Sequence, residues 1–265
     1  MSGNEAFEMV GERGWRRGLS NMFTTEMGRW WGTSLWWIQI LIWAGIVGFM
    51  MVAVIFRETP DETAKTASIM IYSLFAGIFP AIAVIIIMQD ALVGEKQSGT
   101  AAWVLSKPVS RPAFILSKLV ANSIGVLATI VILPGIVAFI LMAFGGKFQI
   151  EMLPFLAAMG VIFLVQLYFL TLVLMLGSLL NNRGAVIGIA LGFLFLQQYI
   201  IGWRPVLKNF LPWTLAVPLN NQNDAMVVSL LSGTPIPSLL PLVIISIEIV
   251  VFVLITLWRF EKEEF

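Results

Sequence analysis

Histidine and cysteine are absent from all 265 residues, and charged side chains make up only 12% of the chain. Without imidazole or thiol there is no His or thiolate metal site, no disulfide, no cysteine nucleophile and no Ser-His-Asp triad. A net charge of +1, from 16 basic and 15 acidic residues, argues against a nucleic-acid partner, which would call for a basic stripe. A phosphate-binding loop is missing too: Gly146 and Lys147 resemble the end of one, but Leu141 stands where its first glycine belongs and Phe148 where Ser or Thr belongs. No cleaved leader is expected either, because the first 32 residues carry charges throughout and lack a continuous apolar core followed by small residues.

What the chain has in quantity is apolar surface. Apolar residues reach 59% with a mean hydropathy of +0.93, against roughly 45–50% in soluble domains. A chain of this size cannot hide that much in one core. A span needs about 20 mostly apolar residues to cross the hydrocarbon. Six segments qualify, at about 33–56, 67–88, 119–144, 153–180, 184–201 and 239–257, the third with room to bend at Pro134 and Gly135. The fold expected is an all-α integral membrane protein.

Basic residues orient it, since cytoplasmic loops keep the excess of Lys and Arg. With the N-terminus inside, the inner side holds Arg13, Arg16, Arg17, Arg29, Lys96, Lys107, Arg111, Lys118, Arg183, Arg259 and Lys262, and the outer side holds Arg57, Lys65, Lys147, Arg204 and Lys208. That is 11 of the 16 against 5, which places both termini in the cytoplasm and the chain, multi-pass, in the plasma membrane. No stretch between spans is long enough for a soluble domain, so any energy source other than an ion gradient must come from another chain.

Two inner segments stand out. From Arg17 to Trp31 the residues Leu19, Met22, Phe23, Met27, Trp30 and Trp31 recur at three- and four-residue spacings, which predicts an amphipathic helix in the membrane interface. It either anchors the N-terminus or acts as a lever on the first span. The inner loop reads Asp90, then GEKQSGTAAWVLSKPVSRPAFILSK from Gly94 to Lys118. Ser98 and Gly99 can open a short helix from Thr100 to Ser106, Pro108 forces Lys107 out of helical conformation, and Ser110 can cap the next helix with Pro112 in its first turn. A two-turn helix between glycine and proline can seat in a groove of another protein; otherwise the loop only sets topology.

The pattern Glu95, Gly99-Thr100, Leu105, Pro108-Val109-Ser110-Arg111 and Lys118, between the second and third of six spans, resembles the membrane subunit of ABC transporters of the ABC-2 type. The resemblance extends over nearly the whole chain and implies a single ABC-2 transmembrane domain over residues 1–265. It implies that residues 94–107 carry a coupling helix that docks on a separate ATP-hydrolysing subunit, the N-terminal helix joining in. The docking set so implied is Glu26, Glu95, Gly99, Thr100, Trp103, Leu105, Pro108 and Arg111. ATP and magnesium would then belong to the partner, this chain holding no cofactor, and two permeases, expected as a homodimer, would pair with two ATPases. The segment from Trp203 to Pro237, with Trp213, Pro218 and the polar run Asn220 to Asp224, is similar to the family's short outer re-entrant helices.

Polar residues inside the spans are few. Glu248 lies near the middle of the sixth, where an ionised carboxylate costs roughly 2.5–3.5 kcal/mol on insertion scales. It is neutral by protonation, bonded to a neighbouring helix, or part of substrate or proton handling. Gly184, Gly188 and Gly192 form a stripe on the fifth span that admits close approach of another helix, within the chain or across a dimer. In the family the first and fifth spans line the central pathway, which makes Gln39, Gln197 and Gln198 candidates to face it; alternatively they bond helix to helix. Trp30, Trp31, Trp203, Trp213 and Trp258 fall at expected membrane edges and anchor the chain in lipid. Three functions remain open: an ATP-driven exporter permease, a secondary transporter using Glu248 as its proton-coupling acid, and a membrane scaffold or assembly factor. Nothing in the sequence selects a substrate.

Overall fold

The computed structural model describes residues 14–57, 61–146, 148–218 and 225–263. Lys147, the polar run Asn220 to Asp224 and the charged start of the chain through Arg13 lie outside the described residues. The remainder is helical, with no strand among the described residues. An interfacial helix α1 (Leu19–Trp31) precedes α2 (Leu35–Ile55), the first span. The second span is α3 (Asp61–Phe75) and α4 (Pro80–Gln89), followed by a π-helical turn over Asp90–Gly94, the single turn α5 (Glu95–Gln97) and the short helix α6 (Thr100–Leu105). The third joins α7 (Arg111–Val126) to α8 (Leu133–Ile140) through a π-helical stretch. Then come α9 (Met152–Leu179) and α10 (Arg183–Trp203), two short helices α11 (Trp213–Ala216) and α12 (Met226–Ser232), and α13 (Leu240–Glu261). Six helical stretches are long and apolar enough to cross a membrane, and the chain is an all-α integral membrane protein.

The spans run beyond their apolar parts. The second extends over Glu62–Gln97 and the third over Arg111–Gly145, because a capped helix continues through charged residues that a hydropathy window excludes. Ser110 caps α7 by accepting the Ala113 N–H at 3.2 Å, with Pro112 in the first turn. The bend expected at Pro134 is prepared one turn earlier: Leu127–Ile132 is π-helical. Proline has no N–H and its ring crowds the carbonyl four residues before it, and a widened turn relieves both.

The second span, expected at about 67–88, is broken between α3 and α4. Pro80 opens α4, and the Phe79 N–H reaches back to the Leu74 carbonyl at 3.1 Å. The carbonyl of Gly77 is taken instead by Gln166 Nε2 of α9 at 2.7 Å, a polar side chain satisfying backbone that lipid cannot. At the same level Ser73 donates to the carbonyl of Ala216 in α11. The short helices α11 and α12, in the segment read as re-entrant, are buried in the bundle, with Leu215, Ala216, Ala225 and Val227 fully covered.

Burial is uneven. In α9 72% of the apolar window is covered, against 17% in α2, 28% in α10 and 17% in α13. The fourth span is therefore the core of the subunit, and the first, fifth and sixth keep broad faces for lipid or another chain.

Candidate functional site

The end of the bundle that holds α1, α5, α6 and the finish of α13 is built around one cation. Lys118 on α7 is fully buried, with its Nζ 2.5 Å from Glu26 Oε1 on α1 and 2.6 Å from Glu95 Oε1 on α5. Helical spacing sets up the contact. Glu26 and Trp30 are one turn apart on α1 and face Lys118 and Asn122, one turn apart on α7. Trp30 Nε1 donates to Asn122 Oδ1 at 2.8 Å, and Asn122 Nδ2 donates to the Lys118 carbonyl at 2.7 Å. The Trp30 ring lies against Gly125, where a Cβ would come within 2.3 Å of it, so only glycine lets α1 approach this closely.

Around this centre the charges balance. Arg29 lies 3.7 Å from Asp90 and 4.0 Å from Glu95, and Arg183 at the start of α10 lies 2.9 Å from Asp90. Three acids thus meet three bases drawn from α1, the π-helical turn with α5, α7 and α10. Burying Lys118, Glu26 and Glu95 costs several kcal/mol per ion unless each is paired, whereas Arg29, Asp90 and Arg183 keep 41–45% of their side-chain surface exposed. The arrangement therefore fixes where four separate elements stand.

The loop is clasped from the other side by the end of the chain. Lys96 pairs with Glu263 at 2.7 Å and donates to the carbonyl of Gly177, at the end of α9, at 3.2 Å. Gln97 donates to the Asn181 carbonyl at 2.7 Å, and Arg111 donates to the carbonyls of Phe260, at 3.2 Å, and Glu261. A small second core lies between them, in which Ala101, Phe114, Ile115 and Phe260 are buried and the Phe114 and Phe260 rings stack 5.3 Å apart. On this platform rests α6. Gly99 starts it in left-handed conformation at φ 73, a turn that residues with a Cβ make at a cost. Ala101 faces the platform, while Trp103 projects away, 62% exposed, with Lys107 Nζ 3.5 Å over its ring.

The residues expected to form a docking face therefore divide. Gly99, Thr100, Trp103 and Pro108 are exposed, and Leu105 packs partly against the platform. Glu26, Glu95 and Arg111 turn inward and hold the platform together. The glutamines divide as well. Gln197 is buried and accepts the Trp213 N–H at 3.0 Å, tying α11 to α10, Gln39 accepts from Trp43 on its own helix at 2.9 Å, and Gln198 is exposed. Among the described residues, nothing outside the helix's own nearby backbone comes within 4 Å of a Cβ built at Gly188 or Gly192, and Gly184 meets only Asn182. Sequence reasoning missed the pairing of Asp90 with Arg183 and the role of Asn122. Lys118, expected only as part of the loop's pattern, is the buried centre of the cluster.

These features define a multi-pass membrane protein that carries an ion-locked platform and an exposed helix at one end. The sequence profile of the ABC-2 family transporter proteins matches residues 46–265, and the chain belongs to that family. It is a permease of an ABC transporter, and family membership implies an ABC ATPase subunit as its partner. Compared with curated proteins, the chain has no significant match.

Proposed function

We propose that this permease works as an ATP-driven exporter whose coupling helix is α6, docking through Trp103, Thr100 and Pro108 in a groove of a separate ATPase. The observation that carries the reading is the exposed Trp103 on a helix held from below by the Lys118 ion cluster and the Phe114–Phe260 platform. A force applied to such a helix is not absorbed locally. It passes through Glu95 to α7, through Glu26 to α1, and through Lys96 and Arg111 to the end of α13. Glu26 and Glu95 accordingly position the helix rather than touch the partner.

On this reading the platform end is cytoplasmic, the membrane is the plasma membrane, and the ATP and magnesium chemistry belongs to the ATPase. A second copy of the chain is expected against α2 and α10, where the Gly184, Gly188 and Gly192 stripe is left uncovered and small residues permit close helix approach in lipid. The test is purification of the tagged chain from its native membrane. An ATPase with a Gly-rich phosphate loop should co-purify with the wild type, and Trp103→Glu should lose it while folding normally. Purification without any such subunit contradicts the reading.

A further inference from the structure

The third and sixth spans are fastened together at the platform end, where Arg111 donates to the carbonyls of Phe260 and Glu261 and the Phe114 and Phe260 rings stack. Further from the platform the same two helices leave a groove of about 290 Å³ between them. To its lining α7 contributes Ser123 and Leu127, α13 contributes Ile249 and Val253, and α9 contributes Phe163 and Leu167. All of these residues lie within helices that cross the membrane. Two lining residues carry hydroxyls, and both turn them onto carbonyls of their own helices: Ser123 donates to Leu119 at 2.7 Å, and Thr171 to Leu167 and Tyr168 at 3.0 Å. The surface offered to an occupant is therefore apolar throughout. Val120 and Ile124 are exposed at its edge, so the groove opens onto the bilayer.

We propose that this groove seats one acyl chain of a membrane phospholipid. Water has no hold there: an apolar cavity of about 150 Å³ stays dry and takes up benzene instead, and this groove is about twice that size. Left empty, it would deprive every side chain around it of packing contacts on one side. Another helix is a poor occupant, because helices meet in lipid through small residues that let their backbones approach, whereas the lining here is mostly Leu, Ile, Val and Phe. The stripe of Gly184, Gly188 and Gly192 has the opposite character, and it lies on α10, which contributes nothing to the groove. A hydrocarbon tail is slender enough to enter from the bilayer and flexible enough to bend around bulky side chains. Seated there, it packs against α7, α9 and α13 at once and supports the two helices that carry Lys118 and the Phe260 clasp. This site stands independently of the ATPase reading above.

The test uses the full-length chain in nanodiscs doped with a phosphatidylcholine whose acyl chain carries a photoactivatable diazirine, the adducts being mapped by mass spectrometry. The recessed residues Ser123, Leu127 and Leu167 should be labelled more heavily than Ile247, Val250 and Leu254, which are exposed on α13 outside the groove. Ser123→Trp fills the groove and should reduce labelling of Leu127 and Leu167 several-fold, while Val250→Trp should leave it unchanged. If Ser123→Trp does not fold, Val253→Trp carries the same comparison from the opposite wall. Adducts confined to the exposed residues would mean annular lipid contact only and would overturn the site. Groove labelling that persists in the filled variants would do the same, as would a photo-crosslinking amino acid at position 124 that captures a second copy of this chain in place of lipid.

Discussion

Lys118 Nζ sits 2.5 Å from the carboxylate of Glu26 and 2.6 Å from that of Glu95, so one fully buried ammonium group bridges two acids that belong to different elements. Neither acid has a reason to approach the other without it. Helices α1 and α5 are therefore joined through the third span.

Lys118→Met should consequently destabilise the protein by about 3–5 kcal/mol, because it strands two carboxylates in a covered site. Removing the charges together, as Lys118→Met with Glu26→Gln and Glu95→Gln, should restore most of the loss. Thermal unfolding in a fixed detergent reads both, and a triple variant as unstable as the single one would sink the assignment.

Gly125 tests how closely α1 must approach. A Cβ at this position would lie within 2.3 Å of the Trp30 ring, so Gly125→Ala should lever α1 away and cost about 1–3 kcal/mol, the usual range for overpacking. Faster proteolysis at Arg29 and a shift in tryptophan emission are the expected signs. Unchanged protease sensitivity would show that α1 is not held there.

Gln166 stands in for a missing backbone bond in the second span. Gln166→Leu leaves the Gly77 carbonyl without its donor and should cost about 1–3 kcal/mol, with faster amide exchange around 74–82. Exchange confined to α9 would mean that the break is held by other contacts.

Much of this was readable from sequence and some was not, for physical reasons. Spans declare themselves because length and hydropathy are local quantities. So do the Ser110 cap with Pro112 and the short helix, expected at Thr100 to Ser106 and found at Thr100–Leu105. The break at Gly77 coincides with Pro80, which opens α4, but its stabilising partner, Gln166, lies 89 residues away and no local pattern points to it. The Lys118 cluster stayed hidden because three elements build it, and no single window contains a reason to bury a lysine. Glu248 was visible at once as an anomaly, because one carboxyl group in an apolar span stands out in any window.

The uncovered glycine stripe carries its own expectation. Gly188→Leu and Gly192→Leu place side chains where no described residue beyond the helix's own nearby backbone lies within 4 Å, so the monomer should fold with unchanged thermal stability while a dimer separates. Native mass spectrometry in mild detergent reads the change, and dimers persisting in the double variant would move the second copy elsewhere.

The most direct measurement places a photo-crosslinking amino acid at position 103, on the exposed side of α6, and as a control at position 206, where Val206 is 79% exposed at the opposite end of the bundle. After irradiation of intact membranes, the adduct from position 103 should contain a subunit with a Gly-rich phosphate loop, identified by mass spectrometry, and position 206 should give none. An ATPase captured equally from position 206, or from neither position, would contradict α6 as the coupling helix.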